Sequence, residues 1–209
     1  MQPKASPVFP VLYAGPIEYF ALMMQYTSVV FERKEHFVKQ SFRNRCEIVG
    51  ANGMLKLSIP TIRKSRERTV YDEVMLAKEE QWNYIHWRSL CTAYRSSPYF
   101  EYYEQEIESF FLKPPDTLFE FNKGLTEWAL KKLSLDLEMQ YTGSFQSNYE
   151  LDFRHRFSAK KAERYHYPRY IQVFEERVGF IPNLSVFDLL FNLGPESRSY
   201  LLEISKTIN

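Results

Sequence analysis

The sequence predicts a single α/β domain over residues 1–209, with a mixed sheet flanked by helices and a long basic loop before the C-terminal helices. Three observations favour this class. β-prone runs fill the first third, apolar residues recur at helical spacing between residues 79 and 135, and the stretch at 143–169 loses periodicity. A length of 209 residues suits one domain, because single cores commonly serve roughly 100 to 200 residues.

The composition indicates a packed core and argues against a nucleic-acid-binding protein. Hydrophobic residues make up 44% of the chain and charged residues 25%, which is enough apolar material for a well-packed core. The 27 Lys and Arg residues against 26 Asp and Glu residues give a formal net charge of +1. That balance argues against nucleic acid as a partner, and it makes any local basic cluster more informative.

The cysteine, histidine and hydropathy patterns argue against a disulfide framework, a metal site and a membrane span. Cys46 and Cys91 form neither a disulfide framework nor a metal-ligand spacing, and the four His residues are scattered. We therefore expect no metal and no cofactor. The densest apolar run, FALMM, stops at Gln25, so no membrane span is predicted. With no export signal visible, we expect a cytoplasmic protein, and the sequence leaves its oligomeric state open.

The first third is predicted to be rich in strands. A β-prone run at Val8–Tyr13 is followed by AlaGlyPro, and Pro16 fits the first position of a helix. The further predicted strands are SVVFE at 28–32, an extended segment from His36 to Val49, its hairpin partner MLKLSIP at 54–60, and TVYDEVMLA at 69–77.

Helices are predicted to follow. Two amphipathic helices are expected from Glu79 onward, the first with Trp82, Ile85, Leu90, Ala93 and Tyr94 on its apolar positions. Thr117 with Glu120 three residues later is typical of a capping box at the start of a third. Beyond the basic loop we expect a last strand in YIQVFEERVGF and a short helix capped by Ser185 and ended by Gly194.

The segment KQSFRNRC, residues 39–46, holds the most informative charge. Strand alternation would place Lys39, Arg43 and Arg45 on one face, with Asn44 between the two arginines. Side-by-side cations repel one another unless acids or a bound anion neutralise them, and guanidinium groups suit bidentate binding of phosphate or carboxylate. We therefore predict an anion site here. The alternative is an exposed edge strand whose charges pair with the protein's own acids.

Other residues are weaker candidates. Tyr13, Pro16 and Tyr19 flank the glycine turn and would wall a pocket at the helix start, although a plain turn explains them equally. His86 has the residue type of a general base, and Asn122 lies on the apolar stripe of its helix; packing and structural hydrogen bonds are the alternatives. The last helix and the residues before it contribute three more candidates, which are Asp188, Asn183 and Asn192. Asp188 would act as base for an incoming amine or hydroxyl. Helix capping is the simpler interpretation of Asp188.

The basic loop offers a further candidate surface. Its cationic residues would form a lid over an anionic substrate, although a solvated loop explains them as well. The residues concerned are Arg154, His155, Arg156, Lys160 and Lys161.

Four blocks in one order carry a resemblance to a known family. They are YAGPIEYF, KQSFRNRCEI with ANGMLKLSIP, QWNYIHWRSLCTAYRSSPYFEYY, and IPNLSVFDLLFNLGP. In these blocks the chain resembles the WbqC-like family, above all its short form. Fuller members carry more α/β sequence before the last block, where this chain has only the basic loop.

The resemblance implies a bacterial protein associated with O-antigen or other surface-polysaccharide assembly. It also implies a transferase that moves a group, such as glycine, from an activated donor to a sugar. The expected partner is an anionic small molecule, either a nucleotide sugar or an activated amino acid. A non-catalytic binding or assembly factor that docks an anionic partner through the basic segment is the alternative.

Overall fold

A computed structural model describes residues 6–62, 69–78, 81–157 and 165–208. The strands are β1 (Val8–Pro10), β2 (Ser28–Glu32), β3 (Arg45–Gly50), β4 (Gly53–Ser58), β5 (Thr61–Ile62), β6 (Met75–Leu76) and β7 (Glu138–Tyr141). The helices are α1 (Ile17–Met23), α2 (Trp82–Tyr94), α3 (Phe100–Leu112), α4 (Leu118–Lys132), α5 (Glu175–Val178), α6 (Val186–Leu193) and α7 (Ser197–Ser205).

A parallel sheet of β1, β2 and β7 lies at one side of the core, with β2 in the centre. The apolar residues of β2 alternate as expected for a covered strand, and Val29 and Phe31 are buried. Helix α1 connects the parallel pair β1 and β2 and is buried along most of its length. Its N-terminus is held by Leu184, whose carbonyl accepts from the Ile17 N–H at 3.0 Å.

The remaining strands form two small antiparallel sheets. β3 pairs with β4 through a two-residue turn between Gly50 and Gly53, which confirms the predicted hairpin. β5 pairs with β6. The α/β class with helices flanking small sheets is therefore confirmed, and the described strands are divided among three sheets rather than joined in one.

An aromatic core joins helices α2, α3 and α4. Trp82 and Phe111 both pack against Phe121, at ring centroid separations of 5.2 and 5.7 Å. Phe187 stacks on Phe191 within α6 at 5.6 Å.

The predicted helix caps are present in the structure. The Thr117 hydroxyl accepts from the Glu120 N–H, and the Ser185 hydroxyl accepts from the Phe187 N–H. Gly194 follows the last residue of α6.

Residues 39–44 are the main departure from the predicted elements, because they form turns rather than a strand. Gln40 adopts a left-handed conformation with φ 54°, and the Ser41 hydroxyl donates to the Val38 carbonyl while it accepts from the Arg43 N–H. Serine bonds of this kind compete with strand pairing. The alternation of charges predicted for this segment is therefore wrong, and β3 begins only at Arg45.

Three other predicted elements also differ. The first strand ends at Pro10 rather than Tyr13, and residues 69–77 contain only the short strand β6 after a 3₁₀ turn. The expected last strand is the helical turn α5, ended by Gly179 at φ 77°. Before it, the Gln172 side chain bonds both the N–H and the carbonyl of Ile181, so an amide takes the place of a strand partner.

Candidate functional site

Arg43 is buried in an ion pair. Its guanidinium donates to Glu35 through Nε at 2.7 Å, and Nη2 donates to the Arg154 carbonyl at 3.1 Å. The side chain is 4% exposed, and its backbone carbonyl accepts from the Asn122 amide at 2.6 Å. The repulsion that suggested a bound anion is thus relieved by the protein's own acid. As placed, Arg43 holds the fold together and does not reach solvent.

The other members of the basic segment do not join Arg43 in a cleft. Lys39 is exposed in the turn, whereas Arg45 is half-buried on β3. The Nε of Arg45 is buried and has no hydrogen-bond partner among the described residues. The Asn44 amide donates to the Ile59 carbonyl at 3.3 Å, which ties the turn to the end of the hairpin. The predicted row of three cations is absent from this part of the structure.

Arg154, proposed for a lid, is instead buried beside the parallel sheet. It is 3% exposed and donates to Asp152, to Glu32 at 3.4 Å, and to the carbonyls of Gln146 and Ser147. These bonds attach the segment after β7 to the end of β2. Arg156 donates to the Tyr165 hydroxyl, and His155 is likewise engaged in the fold. Lys160 and Lys161 lie outside the described residues.

His86 faces the core. Its Nδ1 lies 3.0 Å from the Tyr13 hydroxyl, and the ring contacts Trp82 edge-on. Burial lowers the pKa of His86 to about 4, against a backbone hydrogen bond of Ser58 that raises it. The imidazole is therefore neutral near pH 7. At 5% exposure it is poorly placed to take a proton from a ligand in solvent.

The residues around the glycine turn are packed rather than open. The Tyr19 hydroxyl donates to the Pro10 carbonyl at 2.7 Å, and a Cβ at Gly15 would lie 2.8 Å from the Tyr19 ring. Pro16 forms an isolated bridge with Ser185. Tyr13, Pro16 and Tyr19 are all buried, so this turn joins α1 to α6 and walls no cavity that the structure describes.

Asp188 lies at the centre of a buried hydrogen-bond network. Tyr94 donates to Oδ1 at 2.9 Å, while Tyr170 and Gln172 donate to Oδ2, the latter at 2.9 Å. Burial raises the pKa of Asp188 to about 6, although the three donors act in the opposite direction. The carboxyl is fully buried, so it holds its neighbours in position and has no direct route to a ligand.

The three asparagine candidates are placed differently. Asn122 is buried and donates to Arg43 and Tyr71, while its Oδ1 has no partner among the described residues. Asn183 has a left-handed backbone with φ 54° and accepts from the Glu18 N–H. Asn192 is 7% exposed, donates to the Asp188 carbonyl at 2.8 Å and lines a cleft. Of the three, Asn192 alone is placed to meet a ligand in a described cleft.

Two clefts follow the exposed face of α2 and a third lies beyond its C-terminal end, and together we call them the α2 trough. The apolar cleft, of about 510 Å³, lies between α2 and the β3–β4 turn. The middle cleft, of about 710 Å³, shares Tyr84, Arg88 and Thr92 with it. The polar cleft, of about 580 Å³, meets the middle cleft at Ser96. These volumes fall in the range of small-molecule sites.

Each cleft has a distinct chemistry. The apolar cleft is lined by residues that include Met54, Leu55, Ile85, Ala93 and Phe174. The middle cleft carries two guanidinium groups, those of Arg88 and Arg95. The polar cleft is lined by residues that include Asn192, Gln172, Arg169, Glu175 and Glu176. Gln172 is the residue through which buried Asp188 contacts the wall of the polar cleft.

Sequence reasoning missed the α2 trough. Ile85 was expected in the core but is 56% exposed, and Tyr84 beside it is 55% exposed. The signal was the repeat of Tyr84, Arg88 and Thr92 every four residues, which places them on one stripe of the helix. Whether that stripe meets a cavity depends on the hairpin, which packs against α2 from another part of the chain.

The described ranges contain neither a metal-binding cluster nor a membrane-spanning helix. No group of three or more His, Cys, Asp or Glu side chains is arranged there to hold a metal ion. Within those same ranges, none of the helices combines the length and hydropathy needed to cross a bilayer.

Comparison with known proteins assigns the family. The fold defines a mixed α/β protein whose described clefts lie along α2 and beyond its C-terminal end. The profile of the WbqC-like protein family matches residues 12–156 of the 209-residue chain, and the chain therefore belongs to that family. The match includes α2 and the β3–β4 hairpin, and it ends before Asp188. A search of curated proteins and a search of solved structures each returned no match.

Proposed function

We propose that this protein is a transferase that uses an activated, phosphate-bearing donor in the assembly of bacterial surface polysaccharide. The transferred group would be an amino acid such as glycine, and the acceptor a sugar. Family membership supports the setting. The observation that carries the chemistry is the α2 trough. There the Arg88 guanidinium lies between an apolar and a polar cleft, and it has no carboxylate partner in the described structure.

Arg88 takes the role that the sequence assigned to Arg43 and Arg45. Charge gathers on a phosphate as it leaves, and a guanidinium can donate two parallel hydrogen bonds to it. Arg95 is less suited, because it is already paired with Glu104 at 3.0 Å. In the polar cleft the Ser96 hydroxyl and the Glu176 carboxylate are exposed, and they provide a donor and acceptors that suit sugar hydroxyls. The Gln172 amide in its wall is already bonded to Ile181 and Asp188. Asp188 would act through Gln172 as a positioning residue.

Ligand binding tests this proposal. We expect nucleotide sugars, nucleotides or activated amino acids to raise the melting temperature, and Arg88→Ala to weaken binding at least ~10-fold, since a charge-assisted hydrogen bond is lost. Arg198→Ala on α7 removes an exposed arginine outside the trough and should bind like the wild type. Equal binding by Arg88→Ala and wild type would refute the assignment.

A non-catalytic binding or assembly factor is the second candidate, and one observation favours it. The two residues predicted to handle protons, His86 and Asp188, are both buried and hydrogen-bonded within the protein. Under this alternative the trough would hold an anionic ligand or partner without turnover. Product formation from a bound donor and a sugar acceptor distinguishes the two, because the binding factor would show Arg88-dependent affinity and no product.

A further inference from the structure

The apolar cleft exposes an unusual amount of large apolar surface. Met54 is 46% exposed and Leu55 40% exposed on the hairpin, and Tyr84 and Ile85 face them from α2 at 55% and 56% exposure. Single exposed apolar side chains are ordinary, but a group of four around one cavity marks a binding site. Ala93 and Phe174 complete the apolar wall.

Charge at this cleft has one sign. Among its described lining residues none is acidic, and Arg88 is the one cation. The Arg88 guanidinium lies over the Tyr84 ring, 5.6 Å from its centroid, and Nη1 is 3.4 Å from the Tyr84 hydroxyl. No carboxylate in the described structure lies within ion-pair distance of it. The cleft thus pairs an apolar interior with a guanidinium that is available to an anion.

Arg88 also lies at the junction of two clefts, since it lines the middle cleft as well. A phosphate bound to Arg88 would therefore leave room on both sides. A chain attached to it would lie in the apolar cleft, and the other side of Arg88 leads along α2 towards Ser96, ~12 Å away at 1.5 Å per residue. The polar cleft, which the proposed function assigns to the acceptor sugar, begins at Ser96.

We propose that the apolar cleft binds a single apolar chain that ends in a phosphate, with the chain between the hairpin and α2 and the phosphate on Arg88. This rests on the proposed function and deepens it, because it makes the phosphate-bearing substrate a lipid-linked one. A nucleotide fits the cleft less well. Its base carries several polar edges, and any edge that faces Met54, Leu55 and Ile85 would be left unpaired at a cost in binding free energy.

The full chain can be tested with short probes that stay monomeric. Binding of farnesyl phosphate, farnesol, inorganic phosphate and a nucleotide sugar would be compared by titration calorimetry. We expect farnesyl phosphate to bind at least ~10-fold more tightly than farnesol, and inorganic phosphate alone to bind more weakly than either, because chain and charge both contribute.

Two variants divide the binding into its parts. Arg88→Ala should abolish the preference for farnesyl phosphate over farnesol, and Ile85→Ser should weaken both ligands ~10-fold. Both side chains are exposed, so the fold should survive. The matched controls, Arg198→Ala and Leu202→Ser, change an exposed arginine and an exposed leucine on α7 and should leave binding unchanged.

The outcomes separate this inference from the proposed function. Arg88-dependent binding of the nucleotide sugar without binding of farnesyl phosphate would overturn the inference and leave the proposed function standing. Absence of binding by every probe, and by the nucleotides and activated amino acids of the first experiment, would overturn both. Binding of farnesyl phosphate that Arg88→Ala and Ile85→Ser do not change would place the ligand elsewhere and overturn the inference. A concentration-dependent dimer that Ile85→Ser dissociates would identify a second copy as the occupant, with the same consequence.

Discussion

Folding shifts the pKa values of His86 and Asp188 in opposite directions. That of His86 falls from 6.5 to about 4, and that of Asp188 rises from 3.8 to about 6, in both cases because burial disfavours the charged form. Between pH 4 and 6 the unfolded chain therefore binds a proton at His86 that the folded chain does not. At Asp188 the folded chain binds the additional proton. The two contributions to the pH dependence of stability oppose each other.

Single substitutions should reveal each contribution. Relative to the wild type, Asp188→Asn should make the free energy of unfolding rise more steeply with pH between 4 and 6, by up to about 1.4 kcal/mol per pH unit. His86→Asn should make the free energy of unfolding fall with rising pH by a similar amount per pH unit. The reason is that the carboxyl of Asp188 stabilises the fold when it is protonated. Urea unfolding at several pH values measures both slopes. A change of slope with the same sign in both variants would contradict this account.

Few side-chain contacts of the candidate site could be predicted from the sequence. Spacing indicated that Arg43 either binds an anion or lies on an exposed edge strand and pairs with an acid, but it identified neither its burial nor its partners. Glu35 is 8 residues away, and the Arg154 carbonyl is 111 residues away. Alternation in KQSFRNRC carried no information about either contact. Of the residues predicted near the last helix, Asn192 lines the polar cleft and Asp188 is buried behind it.

Helices were predicted more accurately than strands, for a physical reason. The capping pair Thr117 and Glu120 and the stop at Gly194 are local signals, and each is present in the structure. β7 was missed because its sequence EMQY is mostly exposed and shows no alternation. Its pairing with β2 depends on residues more than a hundred positions earlier. Pairing of that kind leaves little trace in a single sequence.

Gly194, which follows the last residue of α6, allows a test of how this helix ends. It has φ 51°, and an added Cβ would lie 2.5 Å from the Tyr99 ring. Gly194→Ala should lower the free energy of unfolding by about 2–4 kcal/mol, from left-handed strain together with overpacking. Thermal and urea unfolding measure the loss.

Gly143→Ala is the matched control for that substitution. Nothing lies within 4 Å of its added Cβ, and its φ is outside the left-handed region. The control should therefore change the free energy of unfolding by less than about 1 kcal/mol. Equal losses at the two positions would show that Gly194 has no special conformational role.

The whole chain is predicted to fold as one unit, beyond the limits of the family match. Residues after 156 bond directly to the matched part: the Val186 N–H donates to the Gly15 carbonyl, and the Ser185 N–H donates to the Glu47 carbonyl at 2.8 Å. Phe187 and Phe191 fill the shared core. A chain ending at residue 156 should therefore lose cooperative thermal unfolding, whereas the full chain keeps it. A sharp transition in the shortened chain would show that the domain ends earlier.

The burial of Arg43 and Arg154 also has a practical consequence. Trypsin must insert an arginine side chain into its specificity pocket before it can cut the following bond, and neither guanidinium is accessible in the native fold. Fragments that end at either residue would therefore arise only from molecules that have opened, so peptide mapping after brief digestion would report how often the interior opens under native conditions.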